Sequence, residues 1–149
     1  MSEPARPISK STLTAWVNEK IRNGTPRCVL YHILISMQSE TNDLKEMQIL
    51  AAVADEQEEI MVDRNTKGMA LEKQGKEDSA IVLYEANVAD QFDGSHPYNR
   101  LRILYMDRGS YIDTIRVCEA YIANSSQDQK LCESFRTEIT KLTAKASGS

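Results

Sequence analysis

Apolar residues recur along most of this chain at the three- and four-residue spacing that places them on one face of an α-helix. The pattern is clearest near the C-terminus, where the apolar positions are Leu131, Phe135, Ile139 and Leu142. Charged residues occupy the opposite face of this segment. We therefore expect residues 127–146 to form one amphipathic helix that buries a single face.

The N-terminal part of the chain carries the same type of pattern. A short first helix is marked by the apolar positions Leu13, Trp16, Val17 and Ile21. Ser9 or Ser11 is expected as its N-cap, because a serine hydroxyl accepts a hydrogen bond from the free N–H groups of a first turn. The break at Asn23-Gly24 precedes a second helix, which we expect to end near Ser39.

The next segment allows two alternatives. No glycine or proline falls between Asn42 and Lys67, so this span can form a single long helix. Alternatively, Asp63 or Asn65 can break the span by capping a new helix.

Residues from position 61 onward recur at an offset of 34. Identical pairs at this offset include Gly75 and Gly109, Ile81 and Ile115, Glu85 and Glu119, Ala86 and Ala120, and Ala89 and Ala123. Matches at a single offset within one stretch indicate two copies of one helix–turn–helix unit. The glycine pair is expected at the turn, since glycine adopts left-handed backbone angles at little cost.

The second copy resembles the consensus of the tetratricopeptide repeat, whose period matches this offset. Large residues and a turn signature stand at consensus positions: Tyr98, Leu101, Tyr105, Gly109 and Tyr111. The copy departs from the consensus at Arg102 and Thr114, where small residues are usual, and the first copy departs at Arg64 and Lys67. The run from Gly94 to Leu101 is similar to one in prokaryotic and phage members of the superfamily.

The resemblance implies an all-α fold in which antiparallel helix pairs stack into an α–α superhelix. Within a single domain we expect a disordered tail (1–8) and an N-terminal helical region with a possible degenerate repeat (9–60). Two repeat units (61–94 and 95–126) and a capping helix (127–146) are expected to follow.

In this family the first helices of successive repeats line a concave groove that binds a peptide or protein partner. The resemblance implies partner-binding residues at the groove-facing positions Asn65, Met69, Glu72, Lys73, His96, Asn99, Ile103, Met106 and Lys130. Asn65 and Asn99 are expected to hydrogen-bond a peptide backbone.

One branch of the family holds a C-terminal carboxylate with a set of lysine, asparagine and arginine side chains. Here Met69, Arg100 and Ser134 stand at three positions of that set. We therefore expect no dedicated clamp for a C-terminal carboxylate.

Composition narrows the possible partners. The formal net charge is −4, which argues against nucleic acid because a phosphate-backbone partner is usually met by a basic surface. The longest apolar run, residues 28–35, is too short to span a membrane.

The chain has three cysteines, Cys28, Cys118 and Cys132, and their spacing is not that of metal ligands. An odd number of cysteines with such spacing is typical of reduced thiols in a cytoplasmic protein. Cys118 and Cys132 fall at apolar helix positions, where we expect them to be buried.

No residue pattern leads us to assign a catalytic group, a metal ligand or a cofactor site. We therefore expect a non-enzymatic scaffold or adaptor that binds a protein or peptide and has no small-molecule substrate. One alternative is a structural subunit that forms homo-oligomers. Another is a nucleic-acid-linked regulator that uses the basic residues of the first helices.

Overall fold

The structure, a computed structural model, describes residues 2–124 and 128–148. The expected junction between the second repeat unit and the capping helix falls on residues 125–127, which lie outside the described residues. In the described ranges the chain forms seven helices and no strand, so the all-α prediction is confirmed. The helices are α1 (Lys10–Arg22), α2 (Arg27–Glu40), α3 (Leu44–Lys73), α4 (Glu77–Ala89), α5 (His96–Asp107), α6 (Tyr111–Asn124) and α7 (Gln129–Gly148).

Local side chains explain where the first and third helices begin. The Ser9 hydroxyl accepts a hydrogen bond from the backbone N–H of Thr12 at 3.2 Å, which caps α1. A carboxylate oxygen of Asp43 accepts hydrogen bonds from the N–H groups of Lys45 and Glu46 and so caps α3. From that cap α3 continues through residues 63 and 65 without a break, so the span forms one long helix.

The chain divides into two compact units, Met1–Val62 and Asp63–Ser149. Unit 1 holds α1, α2 and the part of α3 up to Val62. Its core consists of Ile8, Leu13, Trp16, Val17, Leu30, Leu34, Met37, Leu50, Val53 and Ala54. The segment expected as a disordered tail makes contacts in this unit: Ile8 packs in the core, and the Trp16 indole N–H donates to the backbone carbonyl of Ser2 at 3.0 Å.

Unit 2 holds the end of α3 and the helices α4 to α7. Helices that follow one another along the chain contact each other, α4 with α5, α5 with α6, and α6 with α7. The buried core is contributed by all four of these helices: Ala80, Tyr84, Tyr98, Leu101, Leu104, Val117, Cys118, Tyr121, Cys132 and Phe135.

Two turns of unit 2 repeat the same backbone geometry 34 residues apart. Gly75 and Gly109 have positive φ angles of 74° and 69°. Around the first turn the N–H of Lys76 donates to the carbonyl of Leu71 at 2.9 Å, and around the second the N–H of Ser110 donates to the carbonyl of Tyr105 at 2.9 Å. This pattern is a Schellman-type helix end, in which a left-handed glycine satisfies carbonyls that the helix leaves free.

Burial in unit 2 recurs at the same offset. The buried pairs are Ala80 and Thr114, Tyr84 and Cys118, Asn87 and Tyr121, Tyr98 and Cys132, and Leu101 and Phe135. The two residues of each pair differ in type, but both of them are buried. Five pairs of buried positions in unit 2 are therefore separated by the same offset as the identical residues of the sequence.

Candidate functional site

The nine residues expected to face a groove all lie in unit 2, on three helices. α3 carries Asn65, Met69, Glu72 and Lys73, α5 carries His96, Asn99, Ile103 and Met106, and α7 carries Lys130. Four of them line one cavity of about 240 Å³ together with Arg100: Met69, Glu72, Lys73 and His96. The end of α3 and the first two turns of α5 therefore form this site.

The Glu72 carboxylate joins three helices at the cavity. Arg100 on α5 donates to both of its oxygens, from Nη2 at 2.5 Å and from Nε at 3.1 Å. Tyr84 on α4 donates its hydroxyl to the second oxygen at 2.6 Å. Hydrogen bonding to the Arg100 guanidinium lowers the pKa of Glu72 and raises that of Arg100, so both stay charged at neutral pH.

Tyr84 supports this arrangement from the core. Its side chain is fully buried, and burial first, with the Glu72 hydrogen bond second, raises the pKa of its phenol well above the usual range. The phenol therefore stays protonated and keeps its role as a donor. The Glu72 carboxylate is bonded to both the guanidinium and the phenol and its pKa is lowered, which makes it a weak proton acceptor.

His96 lies against this cluster with an unsatisfied ring nitrogen. Its imidazole meets the Tyr84 ring edge-on, with ring centroids 5.6 Å apart. Its Nε2 is buried and has no hydrogen-bond partner among the described residues. Burial, and then the charge of Arg100, lower the pKa of His96 below the usual 6.5, so the imidazole is neutral at physiological pH.

We expect His96 to make unit 2 less stable in mild acid. Because the pKa is lower in the folded chain than in the unfolded chain, only the unfolded chain binds a proton between the two values. The contribution is therefore complete above about pH 6.5 and is lost as the pH falls through the folded pKa. Urea unfolding measured across this range should show a stability loss that His96→Phe, which keeps a ring against Tyr84, removes.

His32→Gln is the matched control for this measurement, since His32 is an exposed histidine of unit 1. It should leave the acid-dependent loss unchanged. The same pH dependence in wild type and in His96→Phe would contradict the role assigned to His96.

The two asparagines expected to grip a peptide backbone have their carbonyl oxygens engaged inside the chain. Asn65 Oδ1 accepts from Asn87 Nδ2 at 2.9 Å, and Asn87 is itself fully buried and bonded to Arg64. Asn99 Oδ1 accepts from Arg102 Nη2 at 2.8 Å. Neither asparagine lines the cavity.

The remaining expected residues also lie outside the cavity lining. Ile103 and Met106 are half-buried further along α5. Lys130 is exposed and lines a different surface pocket of about 350 Å³, beside Asp128, Leu131 and Ser134.

Arg100 and Tyr84 were not among the nine expected residues. Two signals in the sequence indicate Arg100: it stands at one position of the family's carboxylate-binding set, and it follows His96 by four residues and so shares its helix face. Tyr84 reads as a core residue of α4, and its hydroxyl reaches Glu72 only through the packing of α4 on α3. Cys118 and Cys132 are buried, as expected, and burial raises the pKa of the Cys118 thiol to about 11.

No family model matches the chain, and searches of curated proteins and of solved structures return no significant match. Within the described ranges, no helix has both the length and the apolar character that crossing a membrane requires.

Proposed function

We propose that unit 2 is a non-enzymatic interaction module of the tetratricopeptide type, which binds a peptide segment of a partner protein at the cavity between α3 and α5. The observation that carries the proposal is that four residues expected on the groove face from the family resemblance line one cavity. They come from two helices whose equivalent positions are 34 residues apart, which is the relation expected of the first helices of successive repeats.

The recurring backbone geometry supports the repeat part of this proposal. The turns at Gly75 and Gly109 have the same handedness and the same hydrogen bonds, and the buried positions follow the same period. α7 supplies Cys132 and Phe135 at the positions that continue this series, as a closing helix would.

The chemistry of the cavity supports binding over catalysis. Its one carboxylate is held by Arg100 and Tyr84, and its imidazole is neutral with a buried nitrogen. Met69 offers an apolar surface, since its side chain is 45% exposed at the cavity. Partly exposed apolar side chains beside fixed polar groups are typical of recognition sites.

Met69→Glu is expected to weaken partner binding, because it places a carboxylate on the apolar wall of the cavity. The matched control is Ile112→Glu, the same change at an apolar residue that is 80% exposed on α6. The measurement is the set of proteins and displayed peptides retained by each purified full-length variant, followed by titration calorimetry of the retained peptides. We expect a loss of at least tenfold in affinity, about 1.4 kcal/mol, for Met69→Glu alone.

The same pair of variants separates this proposal from self-association. Among the described residues of unit 2, Ile112 and Val82 are the most exposed large apolar residues, and they lie on α6 and α4. Should light scattering give a stable dimer that Ile112→Glu dissociates and Met69→Glu leaves intact, unit 2 is an oligomerisation module. Peptide binding that survives Met69→Glu would remove the cavity from the proposal.

A further inference from the structure

The cavity between α3 and α5 has more unpaired positive than negative charge, although the whole chain is acidic. Lys73, Arg100 and Glu72 are its charged residues, and Glu72 is already neutralised by Arg100. Lys73 forms no ion pair with any described residue. The site therefore carries one uncompensated cation.

Arg100 keeps hydrogen-bonding capacity beyond its pair with Glu72. Its contact uses the edge formed by Nε and Nη2. Nη1 has no hydrogen-bond partner in the part of the chain that the structure describes. Because a guanidinium presents donors on more than one edge, Arg100 can bind a second acceptor while it holds Glu72.

Other nearby charges change this balance little. His96 is neutral near pH 7, as described above. Asp107 acts on Arg100 electrostatically but lies seven residues further along α5, about 10 Å along the axis, which is about one screening length at physiological salt. The uncompensated charge of Lys73 is therefore the main electrostatic feature that a ligand meets.

Resting on the proposed function, we infer that this cavity selects a partner segment in which an acidic side chain is next to an apolar one. The carboxylate pairs with Lys73 and with Nη1 of Arg100, and the apolar side chain packs on Met69. We assign the carboxylate to a side chain and not to a chain terminus, because Met69, Arg100 and Ser134 replace three residues of the set that is expected to hold a C-terminal carboxylate.

The test uses pools of short peptides, acetylated and amidated at their ends, that share a central Leu-Glu, Leu-Gln or Leu-Lys and are randomised elsewhere. Full-length wild type should retain the Leu-Glu pool about fivefold better than the Leu-Gln pool, the upper range for a surface ion pair. The ratio should fall towards one in Lys73→Met and at high salt. Lys73→Glu should reverse the preference in favour of Leu-Lys, which a merely destabilised cavity would not do.

Lys76→Met is the matched control, since Lys76 is an exposed lysine three residues away and outside the cavity lining. It should keep the wild-type ratio. A fourth pool that ends in leucine with a free carboxylate separates the two sources of the charge. Stronger retention of that pool than of Leu-Glu would overturn the assignment to an acidic side chain.

The outcomes also separate this inference from the proposed function. If peptides are retained and Met69→Glu loses them, but the Leu-Glu preference is missing or ignores Lys73→Met, the cavity binds peptides and the inference is wrong. If no pool is retained above the Met69→Glu background, both the inference and the proposed function fail.

Discussion

Gly68→Ala is expected to destabilise unit 2 by about 1–3 kcal/mol, the usual cost of overpacking a core. A Cβ atom at this position would lie 2.5 Å from Cε1 and 2.7 Å from Cζ of Tyr84. The ring cannot move aside easily, because it is fully buried and its hydroxyl is bonded to Glu72. The expected sign is opposite to that for an ordinary helix position, where alanine stabilises by about 1 kcal/mol relative to glycine.

A double-mutant cycle with Tyr84→Leu isolates the contact. With the tyrosine ring removed, Gly68→Ala should become neutral or stabilising, so that the coupling between the two positions exceeds about 1 kcal/mol. Urea unfolding gives the free energies, and hydrogen exchange of α4 and α5 assigns the change to unit 2. Equal effects of Gly68→Ala in the two backgrounds would show that the ring does not restrict this position.

Phe135→Ala should have the largest effect on stability, about 3–5 kcal/mol, the usual loss on truncating a buried aromatic residue. Phe135 is 2% exposed, its ring centroid lies 4.8 Å from that of Tyr121, and the Arg102 guanidinium lies 5.6 Å from it. The change removes the largest buried side chain that α7 contributes to the core of unit 2, so hydrogen exchange should accelerate in α5 and α6 as well as in α7.

Ile112→Ala provides the comparison for this truncation. It also shortens an apolar side chain, but Ile112 is exposed, so we expect a change within about 0.5 kcal/mol. A loss below about 1 kcal/mol in Phe135→Ala would mean that α7 is not part of the stable core, and the closing role proposed for it would have to be given up.

Periodic apolar spacing was sufficient to predict the helical class, because an amphipathic helix needs only a local pattern of three and four residues. For residues 42–67 the sequence allowed either one long helix or a break at Asp63 or Asn65, and the structure has one continuous helix. Asn65 is compatible with a cap, but no glycine or proline interrupts the helix before it, and the cap at Asp43 starts a helix that runs to Lys73.

The sequence was sufficient to predict four of the helix positions that line the cavity, but not which side chains contact one another there. The resemblance to the tetratricopeptide repeat was enough to choose Met69, Glu72, Lys73 and His96 together, because it implies which positions of the first helices face a groove. It does not encode which polar groups meet across helices.

The neighbours of the two asparagines illustrate this limit. Asn65 is held by Asn87, which lies on α4, and Asn99 by Arg102 on its own helix. Arg102 stands at a position where a small residue is usual, and its long side chain reaches both Asn99 and the Phe135 ring. Such pairings depend on side-chain length and on packing between helices, which spacing alone does not specify.

The buried cysteines allow the opening of each unit to be measured separately. Cys28 lies in unit 1, whereas Cys118 and Cys132 lie in unit 2. A buried thiol is alkylated only when the structure around it opens, so its labelling rate measures the free energy of that opening. Mass spectrometry of one labelled sample can follow each thiol separately. The same wild-type chain, without any engineered label, would then show whether ligand binding at unit 2 slows opening there while leaving the labelling rate of Cys28 in unit 1 unchanged.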